Sequence, residues 1–117
     1  MERSRPRHLR NGEAAEERAR RWLERQGMRL VTRNYRCKAG EIDLVMQEGA
    51  TLVFVEVRYR SHQGFGSAAE SVTPAKQQRL RRAANHYLQR LSRIPPCRFD
   101  IVGIDAANRI DWIRDAF

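Results

Sequence analysis

Residues 40–60 read GEIDLVMQEGATLVFVEVRYR, and the alternation within them points to the fold. Two apolar runs, 41–47 and 51–59, flank the turn signal Glu48-Gly49. The second run is rich in β-branched residues, which suit a pleated strand. Together they predict a hairpin. Because side chains alternate across a strand, Val53, Val55, Val57 and Tyr59 share one face, and Glu56 and Arg58 share the other, about 7 Å apart. A glutamate inside so apolar a strand is costly unless something compensates it. Asp43 is embedded in the same way, between Ile42 and Leu44. Pairing through the turn lets the two carboxylates converge, and they then repel unless a proton or a cation lies between them. A hard divalent ion, Mg²⁺ or Mn²⁺, suits two carboxylates, a backbone carbonyl and waters. The competing reading is a half-buried salt bridge between Glu56 and Arg58, with Asp43 at a strand end.

Outward from the hairpin, the pattern gives αβββαβ with a short final strand. Asn11 can cap a first helix that runs to about Gln26 and closes at Gly27, with Ala15, Ala19, Trp22 and Leu23 as its buried stripe. A strand follows near 30–35. Thr73-Pro74 is a helix start, and Leu80, Ala83, Ala84, Tyr87, Leu88 and Leu91 form an apolar stripe on a helix ending before Pro95-Pro96. Strands are expected near 99–104 and 110–113. The fold class is therefore α/β, one mixed sheet flanked by helices. Residues 1–10 read as a basic flexible arm and 11–117 as one domain.

Charge points to an anionic partner. The 117 residues carry 23 Lys and Arg against 14 Asp and Glu, a formal net charge of +9. From Ser71 to Phe99 there is no acid at all, while Lys76, Arg79, Arg81, Arg82, Arg90, Arg93 and Arg98 fall there. A merely solvated helix usually mixes signs, whereas a one-sign stretch is an electrostatic footprint for phosphates. No apolar run approaches the ~18 residues of a membrane span. The opening MERSRPRHLR has no apolar segment behind it, and Cys37 and Cys97 lie far apart, so a reducing cytoplasm is the expected location. No Ser-His-Asp grouping, P-loop or GxGxxG is present, and His8, His62 and His86 show no ligand spacing.

Helix phase adds a third acid. At 100° per residue Glu16 falls beside Leu23 at the edge of the buried stripe, while Glu13, Glu17 and Glu24 point to the opposite side. Glu16 either reaches an inner site or turns its carboxylate to solvent. Lys76 projects one turn before Leu80, near a helix N-terminus that favours anions. It either contacts a phosphate or snorkels past the core edge. Arg60 can do similar work, and Arg79 and Arg82 lie on the basic helix. Gly64-Phe65-Gly66 is either a flap or a turn anchored by one buried Phe, and Asp100 reads as structural.

The run Gly12-x-x-x-Glu16, Asn34-Tyr35-Arg36, 40–44, 53–60, Phe65-Gly66, Lys76 and Arg98-Phe99-Asp100 resembles the bacterial YraN-like family. That family is similar to Holliday-junction resolvases and the wider PD-(D/E)XK nucleases. The resemblance implies a restriction-endonuclease-like core and a metal-dependent phosphodiesterase site. Glu16 would be its helix glutamate, Asp43 its strand aspartate and Glu56 its E-x-K glutamate, with the Val57 carbonyl as a further metal ligand. One departure stands out, since the lysine of that motif is Arg58 here. Arginine cannot act as a base, yet it can orient a phosphate by two hydrogen bonds. The expected function is a metal-dependent nuclease acting on DNA, with branched or structured DNA suggested by the resemblance. The alternatives are a non-catalytic nucleic-acid-binding module on the same fold and, on charge alone, a protein that rides on ribosomal RNA. A homodimer would suit a two-strand cut, although no interface shows in the pattern.

Overall fold

The computed structural model describes residues 7–60 and 68–117. The first six residues of the expected arm and the Gly64-Phe65-Gly66 segment lie outside the described residues. Helix α1 (Arg7–Arg25) is followed by strands β1 (Arg29–Cys37), β2 (Gly40–Glu48) and β3 (Thr51–Arg60). Helix α2 (Pro74–Leu88) leads to β4 (Cys97–Asp105) and β5 (Ile110–Ile113). The five strands form one sheet in chain order. Pairing is antiparallel except between β3 and β4, which run parallel. The crossover through α2 brings the chain back to the starting end of the sheet, so the next strand must be parallel. This is a mixed α/β fold with one five-stranded mixed sheet flanked by helices, compatible with the restriction-endonuclease-like core.

Each helix covers one face. Ala15, Ala19 and Leu23 of α1 pack with Leu44, Met46, Val53, Val55, Val102 and Ile104. Leu80, Ala83, Ala84 and Tyr87 of α2 pack with Ile42, Val45, Leu52, Phe54 and Ile101. The β3 alternation is as the sequence predicts, with Val53 and Val55 on the α1 side and Leu52 and Phe54 on the α2 side. Trp22 meets Trp112 of β5 edge-to-face at 5.4 Å.

Two helix boundaries and one strand register differ from expectation. Helix α1 begins at Arg7, so residues 7–10 belong to it rather than to the arm, and Asn11 lies inside it rather than capping it. Once a helix is nucleated, each further residue adds a hydrogen bond, and residues 7–10 carry no breaker to stop it. Helix α2 ends at Leu88, and Leu91 beyond it is 36% exposed instead of buried. The chain there unwinds through i→i−3 bonds, from Arg90 N–H to Tyr87 O and from Leu91 N–H to Leu88 O, which breaks the 3.6-residue phase. Strand β1 carries a bulge at Val31, because its register with β2 slips between Leu30 and Thr32.

Asp100 is structural, as its place in the sequence suggests. It is 0% exposed. Its carboxylate accepts from Arg98 Nε at 2.9 Å, Arg98 Nη2 at 3.2 Å, Trp112 Nε1 at 2.9 Å and the Asp115 backbone N–H at 2.9 Å. Arg98 in turn donates to Glu48 at 2.8 Å. Removing one partner of a buried pair leaves an uncompensated charge, so Asp100→Ala should lower unfolding free energy by roughly 3–5 kcal/mol. Urea denaturation measures this directly. A loss below about 1 kcal/mol would mean that the network is not holding β4 to β5.

Candidate functional site

The site forms where two strands stop pairing. The β2–β3 ladder runs from Glu48↔Thr51 to Leu44↔Val55 and ends there. Continued by one step, the same register would set Asp43 opposite Glu56. Instead, Asp43 Oδ2 accepts the backbone N–H of Val57 at 2.8 Å. A side-chain oxygen takes the N–H in this stretch, and the strands part around the two acids.

Strand β2 also turns over at this point. Leu44 and Met46 pack on the α1 side, so strict alternation would send Ile42 there too, yet Ile42 packs with α2. On β1 the ladder passes from Arg33↔Leu44 to Tyr35↔Ile42, stepping over Asn34 and Asp43. Asn34 adopts φ 53, a left-handed backbone that asparagine tolerates better than most residues. The hairpin therefore twists at one level, and Asp43 lies at that level.

Glu56 is 4% exposed. Two cations approach the same carboxylate oxygen, Oε2, with Lys76 Nζ at 3.4 Å and Arg58 Nη1 at 3.5 Å. Arg58 makes its shorter contact elsewhere, donating from Nε to Ser71 Oγ at 3.1 Å and from Nη2 to the Ser71 carbonyl at 3.4 Å. Lys76 stands in the first turn of α2. Its backbone N–H is accepted by the capping hydroxyl of Thr73 at 3.2 Å. Glu16, Asp43, Glu56, Val57, Arg58 and Lys76 line one cavity of ≈ 170 Å³. The sheet supplies four of these residues, and α1 and α2 bring in acid and base from either face.

Electrostatics single out Asp43. Burial first, and then the facing Glu56 carboxylate, push its carboxyl up to about 9. The two groups share a hydrogen bond, the Val57 N–H pulls the other way, and Glu16 adds to the rise. The Glu16 carboxyl is itself raised, first by burial and then by Glu41 and Glu56. Among the described residues no three acids, histidines or cysteines form a ready metal cage. Two crowded carboxylates nevertheless fit the chemistry of a hard divalent ion that keeps several waters.

The sequence candidates divide into two groups. Glu16, Asp43, Glu56, Val57, Arg58 and Lys76 come together. Arg60 lines a different cavity, of ≈ 250 Å³, with Gly103, Asp105 and Arg109. Arg79 and Arg82 are exposed on α2, where the Arg79 backbone packs against Gly40. Glu17, expected on the outer side, reaches Arg33 of β1 at 3.4 Å. A larger cavity of ≈ 590 Å³ also touches Glu16 and is lined by Arg33, Arg36 and Glu41. Sequence reasoning missed Ser71, because a serine in a loop carries no signal of an arginine that will reach it from a strand. Among the described residues no helix is long and apolar enough to cross a membrane.

The raised Asp43 carboxyl has a signed consequence. Its neutral form is favoured on folding, so its contribution to stability is complete below the unfolded value near 4 and is lost as pH rises towards about 9. In metal-free buffer Asp43→Asn should therefore raise stability at pH 8 by on the order of 2 kcal/mol, with little effect at pH 4. Thermal melts in chelator across that range provide the check. A variant no more stable than wild type at pH 8 would show that the site carries no electrostatic strain.

The model of the uncharacterised protein family UPF0102 matches residues 15–104, a span that holds both strands of the site, α2 and the part of α1 from Ala15 on. A UPF0102 protein of Cupriavidus taiwanensis is 59% identical over 107 residues, covering 91% of this chain and 81% of that relative. One from Nitrosococcus oceani is 53% identical over 115 residues, covering 94% and 93%. One from Nitrosomonas eutropha is 54% identical over 106 residues, covering 91% of each. On these matches, and in line with the resemblance carried by its GEIDL and FVEV runs, the chain belongs to the UPF0102 (YraN-like) family.

Proposed function

We propose that this protein is a Mg²⁺- or Mn²⁺-dependent phosphodiesterase acting on DNA in the cytoplasm. The observation that carries the reading is the meeting of Asp43 and Glu56 in one buried gap, where burial and the facing carboxylate push the Asp43 carboxyl up. Fold stability gives no reason to keep that arrangement, because it raises the energy of the folded state. A cation in the gap would replace the shared proton and relieve the repulsion.

Asp43 and Glu56 would hold the ion, with the Val57 carbonyl as a further ligand. When bound, the ion supplies a water of lowered pKa and charge compensation at the phosphate. Glu16, at the rim of the same cavity, accepts hydrogen bonds from water and orients it. Arg58 and Lys76 bring two positive charges to the side where a phosphate oxygen would lie. Arg79 and Arg82, exposed on the acid-free α2, hold the nucleic-acid backbone without reading bases. Branched or structured DNA is the substrate suggested by the likeness to resolvases, and a homodimer would let two cavities cut two strands.

The second reading, a non-catalytic DNA-binding module, is favoured by one observation. Arg58 stands where the E-x-K motif has lysine, and it is bonded to Ser71. Incubation with supercoiled, single-stranded and four-way-junction DNA separates the two. The nuclease reading predicts cleavage in Mn²⁺ that Asp43→Asn reduces at least about 100-fold while DNA binding persists. It also predicts stabilisation of about 2.7 kcal/mol at metal 100-fold above Kd, absent in Asp43→Asn. Binding of DNA with neither cleavage nor metal-dependent stabilisation would leave the binding module standing and remove the nuclease.

A further inference from the structure

The cavity holds two cations, and their surroundings are unequal. Arg58 rises from β3 itself, two residues past Glu56. Its guanidinium is fixed by Ser71, which accepts at Oγ and at its carbonyl. Ser71 is in turn anchored by donating its hydroxyl to the Ala68 carbonyl at 2.6 Å. A planar fork bound along one edge has few donors left to turn towards a ligand.

Lys76 arrives from the opposite direction, on the first turn of α2. Helix start and lysine are locked together, since Thr73 caps the Lys76 N–H at 3.2 Å and Gln77 Nε2 donates to the Val72 carbonyl at 3.2 Å. Val72 lies in the core. The ammonium meets Glu56 Oε2 at 3.4 Å, a distance that leaves the pair loose and its three donors rotatable. No acid occupies the first turn of the helix. The helix N-terminus adds its own positive partial charge at the same place.

We propose that Lys76 is the catalytic cation of this site, placing its ammonium on the attacked phosphate group beside Glu56, and that Arg58 is a positioning residue that ties β3 to the 68–73 turn through Ser71. This rests on the phosphodiesterase reading. The division of labour is chemical. A compact ammonium on a capped helix can follow the charge that builds on the phosphate oxygens during attack by water, whereas a guanidinium bonded to serine cannot move with it. The lysine that the β3 motif lacks is thus supplied in space from α2, with no change to the acids.

Single-turnover cleavage of a four-way junction in Mn²⁺, together with DNA binding in Ca²⁺, tests the assignment. Lys76→Gln should lower the cleavage rate about 100- to 1,000-fold, the range for losing one preorganised donor to a developing charge, with DNA binding changed less than about threefold. Arg58→Gln and Ser71→Ala should each cost less than about tenfold, and both should lower the melting temperature more than Lys76→Gln does. Arg58→Lys in the Lys76→Gln background should restore at least about a tenth of the wild-type rate, because a lysine freed from the serine can reach the same oxygen. Lys76→Arg, which keeps the charge but not the compact ammonium, should remain impaired if Lys76→Gln fails to fold and this variant must carry the test. Wild-type cleavage with an unimpaired Lys76→Gln, or Lys76→Arg in its stead, would overturn the assignment of Lys76 alone. So would a rate loss matched by an equal loss of DNA binding. Wild-type protein that cleaves none of the DNA substrates would overturn the phosphodiesterase reading itself, and this inference with it.

Discussion

The hydrogen bond from the Val57 N–H to Asp43 Oδ2, 2.8 Å long, is the hinge of this structure. It lets β2 and β3 separate without leaving that N–H unpaired, a deficit that costs about 1–3 kcal/mol when buried. Separation is what opens the gap between the strands, and the gap is what admits Glu16 from one face and Lys76 from the other. The same bond fixes where the acids stand, since the register that ends at Leu44↔Val55 would next have paired Asp43 with Glu56. A well-paired hairpin and a cavity with two opposed carboxyls thus come from a single chain geometry.

Two buried aspartates show how much the partner matters. Asp100 is enclosed completely and surrounded by an arginine, an indole N–H and a backbone N–H, so its charge is matched in place. Asp43 faces another carboxylate, and its carboxyl rises. Burial is common to both, and complementarity separates a matched charge from an opposed one. Glu56 occupies an interior position where a large apolar side chain would contribute roughly 1.5–3 kcal/mol. The carboxylate there is met instead by Lys76 and Arg58, both at Oε2.

Much of this was legible in residues 40–60. Period-two alternation and Glu48-Gly49 specified the hairpin, and the register then followed from the turn. The wheel placed Glu16 at the cavity because a helix packed on a sheet has only one edge near the strand ends. Other features depend on tertiary contact and leave no local trace. The parting of β2 and β3 occurs at the level where Asn34 of β1 takes a left-handed conformation, and a lone asparagine in a strand does not announce it. The Arg58–Ser71 tie spans 13 residues. Lys76 carried a hint in its position on α2, but its approach to Glu56 depends on how the helix crosses the sheet. The start of α1 and the unwinding after Leu88 leave no clear local mark, because capping signals compete with cooperative extension and with the loop that follows.

The central claim is that the gap between Asp43 and Glu56 is built for a divalent cation. A crystal structure of the protein soaked in Mn²⁺, with the ion located by its anomalous scattering, tests it most directly. The account predicts one strong peak between the two carboxylates, within bonding distance of both and of the Val57 carbonyl, at about 2.0–2.3 Å as oxygen-ligated ions require. A gap that stays free of anomalous signal at saturating Mn²⁺, with the Asp43 and Glu56 carboxyls still hydrogen-bonded to each other, would contradict it.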